Sequence, residues 1–130
     1  MAGFAVSRSG EQAWQPTARR PEQGRTVIDL TDALGLEQSR ARLWRYPPGA
    51  TGTPHAELVQ EEVFVVLAGT LTLALGRPPE LQALPAGSVA AVKPHTPLQV
   101  RNEGDEELTL LVYGAPPAVG QAEVFESLDA

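Results

Sequence analysis

The stretch GATGTPHAELVQEEVFVVLAG, residues 49–69, decides how this chain is read. His55 and Glu57 are separated by one residue, so in an extended segment both side chains project to the same side. Glu61 and Glu62 then open a run rich in β-branched residues that ends at Ala68-Gly69. Imidazole nitrogen and carboxylate oxygen together suit Fe, Mn, Ni, Co or Zn. The same residues also suit the wet rim of a sheet, with His55 neutral and the glutamates solvated.

Outward from this stretch the pattern is of strands and turns. TVIDL (26–30) and RARLWRYP (40–47) read as strands, with TDALGLEQ (31–38) holding about one helical turn between them. Asp29 or Thr31 would cap that turn and Gly35 would end it. Residues 61–76 read as two strands meeting near Gly69. Residues 81–114 supply three or four more, punctuated by Pro85-Ala86-Gly87, Lys93-Pro94 and Glu103-Gly104-Asp105. One sheet would leave too many apolar strand faces in water, whereas two facing sheets cover them. The expected organisation is an irregular arm over 1–25, a β-barrel domain over 26–120 and a tail over 121–130. Within the arm, Trp14 is the expected anchor, packing on its own sheet or on that of a partner.

The chain has 130 residues and no cysteine, which excludes disulfides, thiolate nucleophiles and thiolate-bound metal. A cytoplasmic location is the corresponding expectation. No bilayer-length apolar run and no basic start followed by an apolar segment occur, so neither a membrane span nor a signal peptide is expected. The formal charge of −6 argues against nonspecific binding to nucleic acid or anionic membrane. The basic residues gather early, at Arg8, Arg19, Arg20, Arg25, Arg40, Arg42 and Arg45. They read as a solvated surface whose stems cover apolar area, with a local anion site as the alternative. Phosphate-cradling glycine motifs and serine-elbow patterns are absent from the sequence.

Gly49, His55, Glu57, Glu62 and Gly69 resemble the first motif of the cupins: glycine, five residues, His-x-His, three or four residues, glutamate, six residues, glycine. Glu57 stands where the family's second histidine would be. Gly87, Pro97 and Asn102 resemble the second motif, with Leu98 in place of its histidine; His95 lies three residues earlier. The resemblance covers about residues 40–115. It implies an all-β fold, a double-stranded β-helix or jelly-roll barrel, in a small single-domain cupin with a degenerate metal site.

Carried over residue by residue, the resemblance puts His55, Glu57 and Glu62 at the metal position, with Leu98 unable to coordinate. Two outcomes follow. Either a His-Glu-Glu set holds a single divalent metal (Fe, Mn, Ni or Zn), or the barrel holds none and its carboxylates meet a polar ligand. The second is the reading adopted from sequence: a small-molecule-binding barrel with a degenerate or absent metal site. The alternative is a metal-dependent enzyme of the oxygenase or isomerase type using His55, Glu57 and Glu62. Period two places Phe64 and Val66 on the face of Glu62, and Val100 on that of Leu98, so these four residues are expected to line the ligand pocket. Short cupins also imply a homodimer as the assembly.

Overall fold

A computed structural model of the chain describes residues 3–118 and 120–129. Among the described residues, besides two single 3-10 turns in the arm, eleven strands and one short α-helix follow in chain order: β1 (Gln15–Pro16), β2 (Thr26–Asp29), α1 (Leu30–Leu34), β3 (Arg40–Tyr46), β4 (His55–Glu57), β5 (Glu61–Ala68), β6 (Thr70–Leu75), β7 (Glu80–Pro85), β8 (Val89–Val92), β9 (Leu98–Arg101), β10 (Leu108–Ala115) and β11 (Ala122–Val124). They form two antiparallel sheets. The first has the order β1-β2-β3-β10-β5-β8 and the second β11-β4-β9-β6-β7. The two facing sheets are those expected from the strand pattern, and the all-β jelly roll is the fold that the cupin resemblance implies.

Alternation dictates which side chains enter the barrel. Along β5, Glu62, Phe64 and Val66 are buried while their neighbours are less so. Register then stacks the inner face of the first sheet in rows. Val66 pairs with Leu110, Phe64 with Val112 and Glu62 with Gly114 across β5 and β10. Leu110, Val112 and Gly114 pair in turn with Trp44, Arg42 and Arg40 of β3. The second sheet contributes Leu71, Leu73, Leu98 and Val100 to the same core. These rows run from an inner end, at Leu108 and Tyr46, to a polar mouth at Glu62 and Arg40.

The β5–β6 connection depends on one residue. Gly69 has a φ of +76°, and a Cβ there would sit 2.5 Å from the Glu107 carbonyl oxygen. Only glycine satisfies both conditions. At α1, the Asp29 side chain accepts a bond from the Thr31 N–H at 3.0 Å, and Gly35 closes the helix with a φ of +63°. Both are the roles expected of them.

The arm packs on its own sheet. β1 pairs with β2, and Trp14 joins Ile28, Leu30, Ala41, Leu43 and Leu111 in a second cluster outside the barrel. Arg45 lies over the Trp14 ring, 3.9 Å from its centroid. At the other end, the segment read as a tail contributes a strand: β11 pairs with β4, with Ala122 opposite Glu57 and Val124 opposite His55. Three residues carry too little periodicity to announce a strand, and the pairing crosses more than sixty residues of sequence. Leu128, beyond it, is buried. No helix among the described residues is long and apolar enough to cross a membrane.

Candidate metal centre and cavity

The two sheets bring His55, Glu57 and Glu62 together. His55 and Glu57 come from β4 in the second sheet, and Glu62 from β5 in the first. His55 Nε2 lies 3.1 Å from Glu57 Oε2 and 3.5 Å from Glu62 Oε1. Ligand atoms from all three lie within 4.8 Å of one another. Glu61, the neighbouring alternative, points outward and pairs with Lys93 at 3.4 Å. Period two along β5 separates the two glutamates, one to each side of the sheet.

Local structure holds the group in place. β4 lies between β11 and β9, and the His95 backbone N–H donates to the Glu57 carbonyl at 2.7 Å. His95 itself sits in a turn with a φ of +69° and an exposed side chain, and it does not join the group. Leu98 stands directly opposite His55 in the β4–β9 register, buried. The fourth direction around the group is therefore apolar.

The ring orientation of His55 is fixed from behind. Nδ1 lies 2.9 Å from the Thr53 carbonyl oxygen. A carbonyl only accepts, so Nδ1 carries a hydrogen. Nε2 then faces two carboxylate oxygens. A bare lone pair between two anions is repulsive, so a positive species belongs at Nε2, either a proton or a metal ion. Burial pulls the His55 imidazolium toward losing its proton. The Glu57 and Glu62 carboxylates facing Nε2 and the Thr53 carbonyl accepting from Nδ1 outweigh this, and push the group from 6.5 up to about 10.

One proton serves the two carboxylates unequally. Glu62 Oε1 is buried, and His55 Nε2 stands 3.5 Å from it, at the limit of hydrogen-bond length. A divalent ion in the space bounded by Nε2 and the two carboxylates would engage all three groups, so the donor set fits a first-row metal.

The group opens on a cavity of about 570 Å³. Phe64, Leu98 and Val100 line it, as do Trp44, Tyr46 and Val112. Val66 does not: it lies behind Phe64, in register with Leu110, sealed within the core. The period-two argument gives its face correctly but not its depth along the barrel. Asn102, on the same strand face as Leu98 by spacing, closes a turn instead. Its Nδ2 donates to the carbonyls of Tyr46 at 2.9 Å and Glu106 at 2.8 Å, and its Oδ1 accepts from the Gly104 N–H.

Four arginines also line the cavity: Arg19, Arg25, Arg40 and Arg42. Arg25 is buried, which corrects the reading of the early arginines as a solvated surface. Arg40 and Arg42 share the inner face of β3 with Trp44 and Tyr46, a placement the alternation of RARLWRY contained. Arg45, of opposite parity, reaches outward to Trp14 and Glu107.

Comparison with known proteins agrees with the fold. Residues 42–114 match the cupin domain family. Among solved structures, a sugar phosphate isomerase from a cupin superfamily, from Silicibacter pomeroyi, is 28% identical. The match covers 80% of this chain and 69% of that one, with a TM-score of 0.67. The polyketide cyclase RemF from Streptomyces resistomycificus gives a TM-score of 0.77 at 18% identity, covering 95% of this chain and 87% of that one. A predicted oxalate decarboxylase from Thermotoga maritima gives 0.72 at 18% identity, covering 85% and 98%. At such identities the last two speak to the fold alone. No curated protein matches the chain.

Proposed function

The chain belongs to the cupin domain family, and from that premise we propose that it is a metal-dependent, small-molecule-binding barrel. His55 Nε2, Glu57 and Glu62 would hold one divalent first-row ion, and the adjoining cavity would hold an organic ligand. The single observation that carries this reading is the convergence of one imidazole nitrogen and two carboxylates, with ligand atoms within 4.8 Å of one another, at the cavity wall. When bound, the ion supplies Lewis acidity at the cavity wall, with positions left for ligand or water because the protein offers three donors.

The chain's own residues do the rest. Thr53 fixes the tautomer of His55. Leu98 and Val100 exclude water from one side of the group, which strengthens the electrostatic interactions there. Trp44, Tyr46 and Phe64 would give a ligand aromatic walls. The relative from Silicibacter pomeroyi is described as a sugar phosphate isomerase. That supports chemistry on a small polar molecule of the isomerase class over a purely structural role.

The test is metal analysis of protein grown with supplements of Mn, Fe, Ni and Zn. The expected result is about one ion per chain, lost in His55→Ala and in Glu62→Ala, because affinity rests on the ligating side chains themselves. A second reading has a specific observation behind it. Leu98 removes one family ligand, and a protonated His55 with two carboxylates forms an ion triad that needs no metal. Stoichiometric absence of metal under repletion, with the fold intact, would establish that reading and reject the first.

A further inference from the structure

We propose that the cavity selects an organic anion with a planar ring, and that Arg25, outside the family-matching segment, provides the charge that selects it. This rests on the reading of the cavity as a ligand site but not on the presence of a metal.

Arg25 lies seventeen residues before the start of the match at residue 42. It is 5% exposed and lines the cavity. Its guanidinium carbon is 5.2 Å from the Trp44 ring centroid and 5.3 Å from that of Tyr46, so two aromatic rings cover it. Nη1 donates to the Tyr46 hydroxyl at 3.2 Å, and Nη2 donates to the Arg19 carbonyl at 2.8 Å. Nε is buried with no partner. All these contacts are to neutral groups. Among the described residues Arg25 forms no ion pair with an acid. A buried guanidinium without a counter-charge is expensive, and an anion beside it offsets that cost.

The rest of the lining has the same sign. Arg19, Arg40 and Arg42 stand along the same cavity, and none of them forms an ion pair among the described residues. Against the four arginines stand three carboxylates, Asp29, Glu57 and Glu62. Two of these are engaged with the positive species at His55. The cavity is thus cationic in a protein whose formal charge is −6. A concave site of one sign with apolar walls concentrates ligands of the other sign.

The ring follows from the walls. Trp44 and Tyr46 meet edge to face, with centroids 5.8 Å apart, Phe64 and Val112 share the inner face of their sheet on β5 and β10, and Leu98 and Val100 of β9 face them from the second sheet. A flat apolar body between these side chains leaves its anionic group toward Arg25 and its far edge toward His55. The space for Tyr46 and Arg25 is reserved by Gly52: a Cβ there would fall 2.6 Å from the Tyr46 hydroxyl and 3.5 Å from Arg25 Nη1.

The experiment compares 2-naphthoate with its neutral isostere 2-naphthamide by calorimetry. It uses protein as purified and protein treated with chelator, so that a carboxylate on the metal is separated from a carboxylate on Arg25. The expected result is that the acid binds at least about tenfold more tightly than the amide in both preparations, a difference of about 1.4 kcal/mol. The preference should vanish in Arg25→Gln and survive in Arg25→Lys, which keeps the charge. Because Arg25 also ties down the arm, Arg42→Gln serves as the second variant. It should reduce the preference without touching the Tyr46 contact. Equal binding of acid and amide, binding of neither at millimolar concentration, or a preference unchanged in Arg25→Gln would each overturn the proposal. A preference that exists only before chelation would assign selection to the metal and also overturn it. Absence of metal with the preference intact would leave the anion site standing and sink the metal-centre reading instead.

Discussion

Metal binding at His55 should be coupled to the release of a proton, with a pH dependence set by the two glutamates. In the metal-free protein His55 is pushed up to about 10, because the Glu57 and Glu62 carboxylates facing it outweigh burial. An ion at Nε2 has to displace that proton. At pH 7 the displacement is uphill by about three decades, on the order of 4 kcal/mol. The apparent association constant for Zn or Mn should therefore rise about tenfold per pH unit from pH 6 to 8.5, releasing about one proton per ion. Calorimetry in two buffers of different ionisation enthalpy at each pH counts that proton directly.

The same group affects stability in the chelated protein. Its folded value is raised above 6.5, so its contribution is fully present below pH 6.5 and lost as pH rises through about 10. Glu62→Gln removes a carboxylate 3.5 Å from Nε2. At an effective dielectric of about 20 that attraction is on the order of 5 kcal/mol before screening. The variant should bring His55 back toward its ordinary range and flatten the pH slope. A flat association constant across the range, with no proton released, would refute the reasoning.

Three other outcomes follow from particular residues. Leu98→His restores a nitrogen opposite His55; it should destabilise the chelated protein by about 1–3 kcal/mol and raise metal affinity, measured by urea unfolding and by competition with a chromophoric chelator. Gly69→Ala places a Cβ 2.5 Å from the Glu107 oxygen at a φ of +76°, and should cost about 1–3 kcal/mol in thermal unfolding. Asn102→Ala leaves the buried carbonyl of Tyr46 without a partner, and should cost about 1–3 kcal/mol, read from the urea midpoint.

Local spacing made the barrel legible. His55 and Glu57 share parity in a short strand, while parity leaves Glu61 and Glu62 as alternatives; the resemblance to the cupin motif singles out Glu62, and the structure joins it to the group and sends Glu61 to Lys93 in solvent. Depth along the barrel was not legible: Val66 has the right face but lies beyond the cavity floor. Nor was the fate of the arginines. Solvated surface is the usual place for such residues, and burial of Arg25 depends on Trp44 and Tyr46, distant in sequence, folding over it. β11 escaped for a related reason: AEV becomes a strand only because β4 offers it an edge.

The proposed metal centre puts a divalent ion between one imidazole nitrogen and two carboxylates inside the barrel. Anomalous diffraction from crystals grown with Zn, recorded on both sides of the Zn absorption edge, locates that ion. One strong peak is expected about 2.0–2.2 Å from His55 Nε2 and from an oxygen of each of Glu57 and Glu62. A map with no peak there, and with His55 donating to Glu57, would rule the metal centre out.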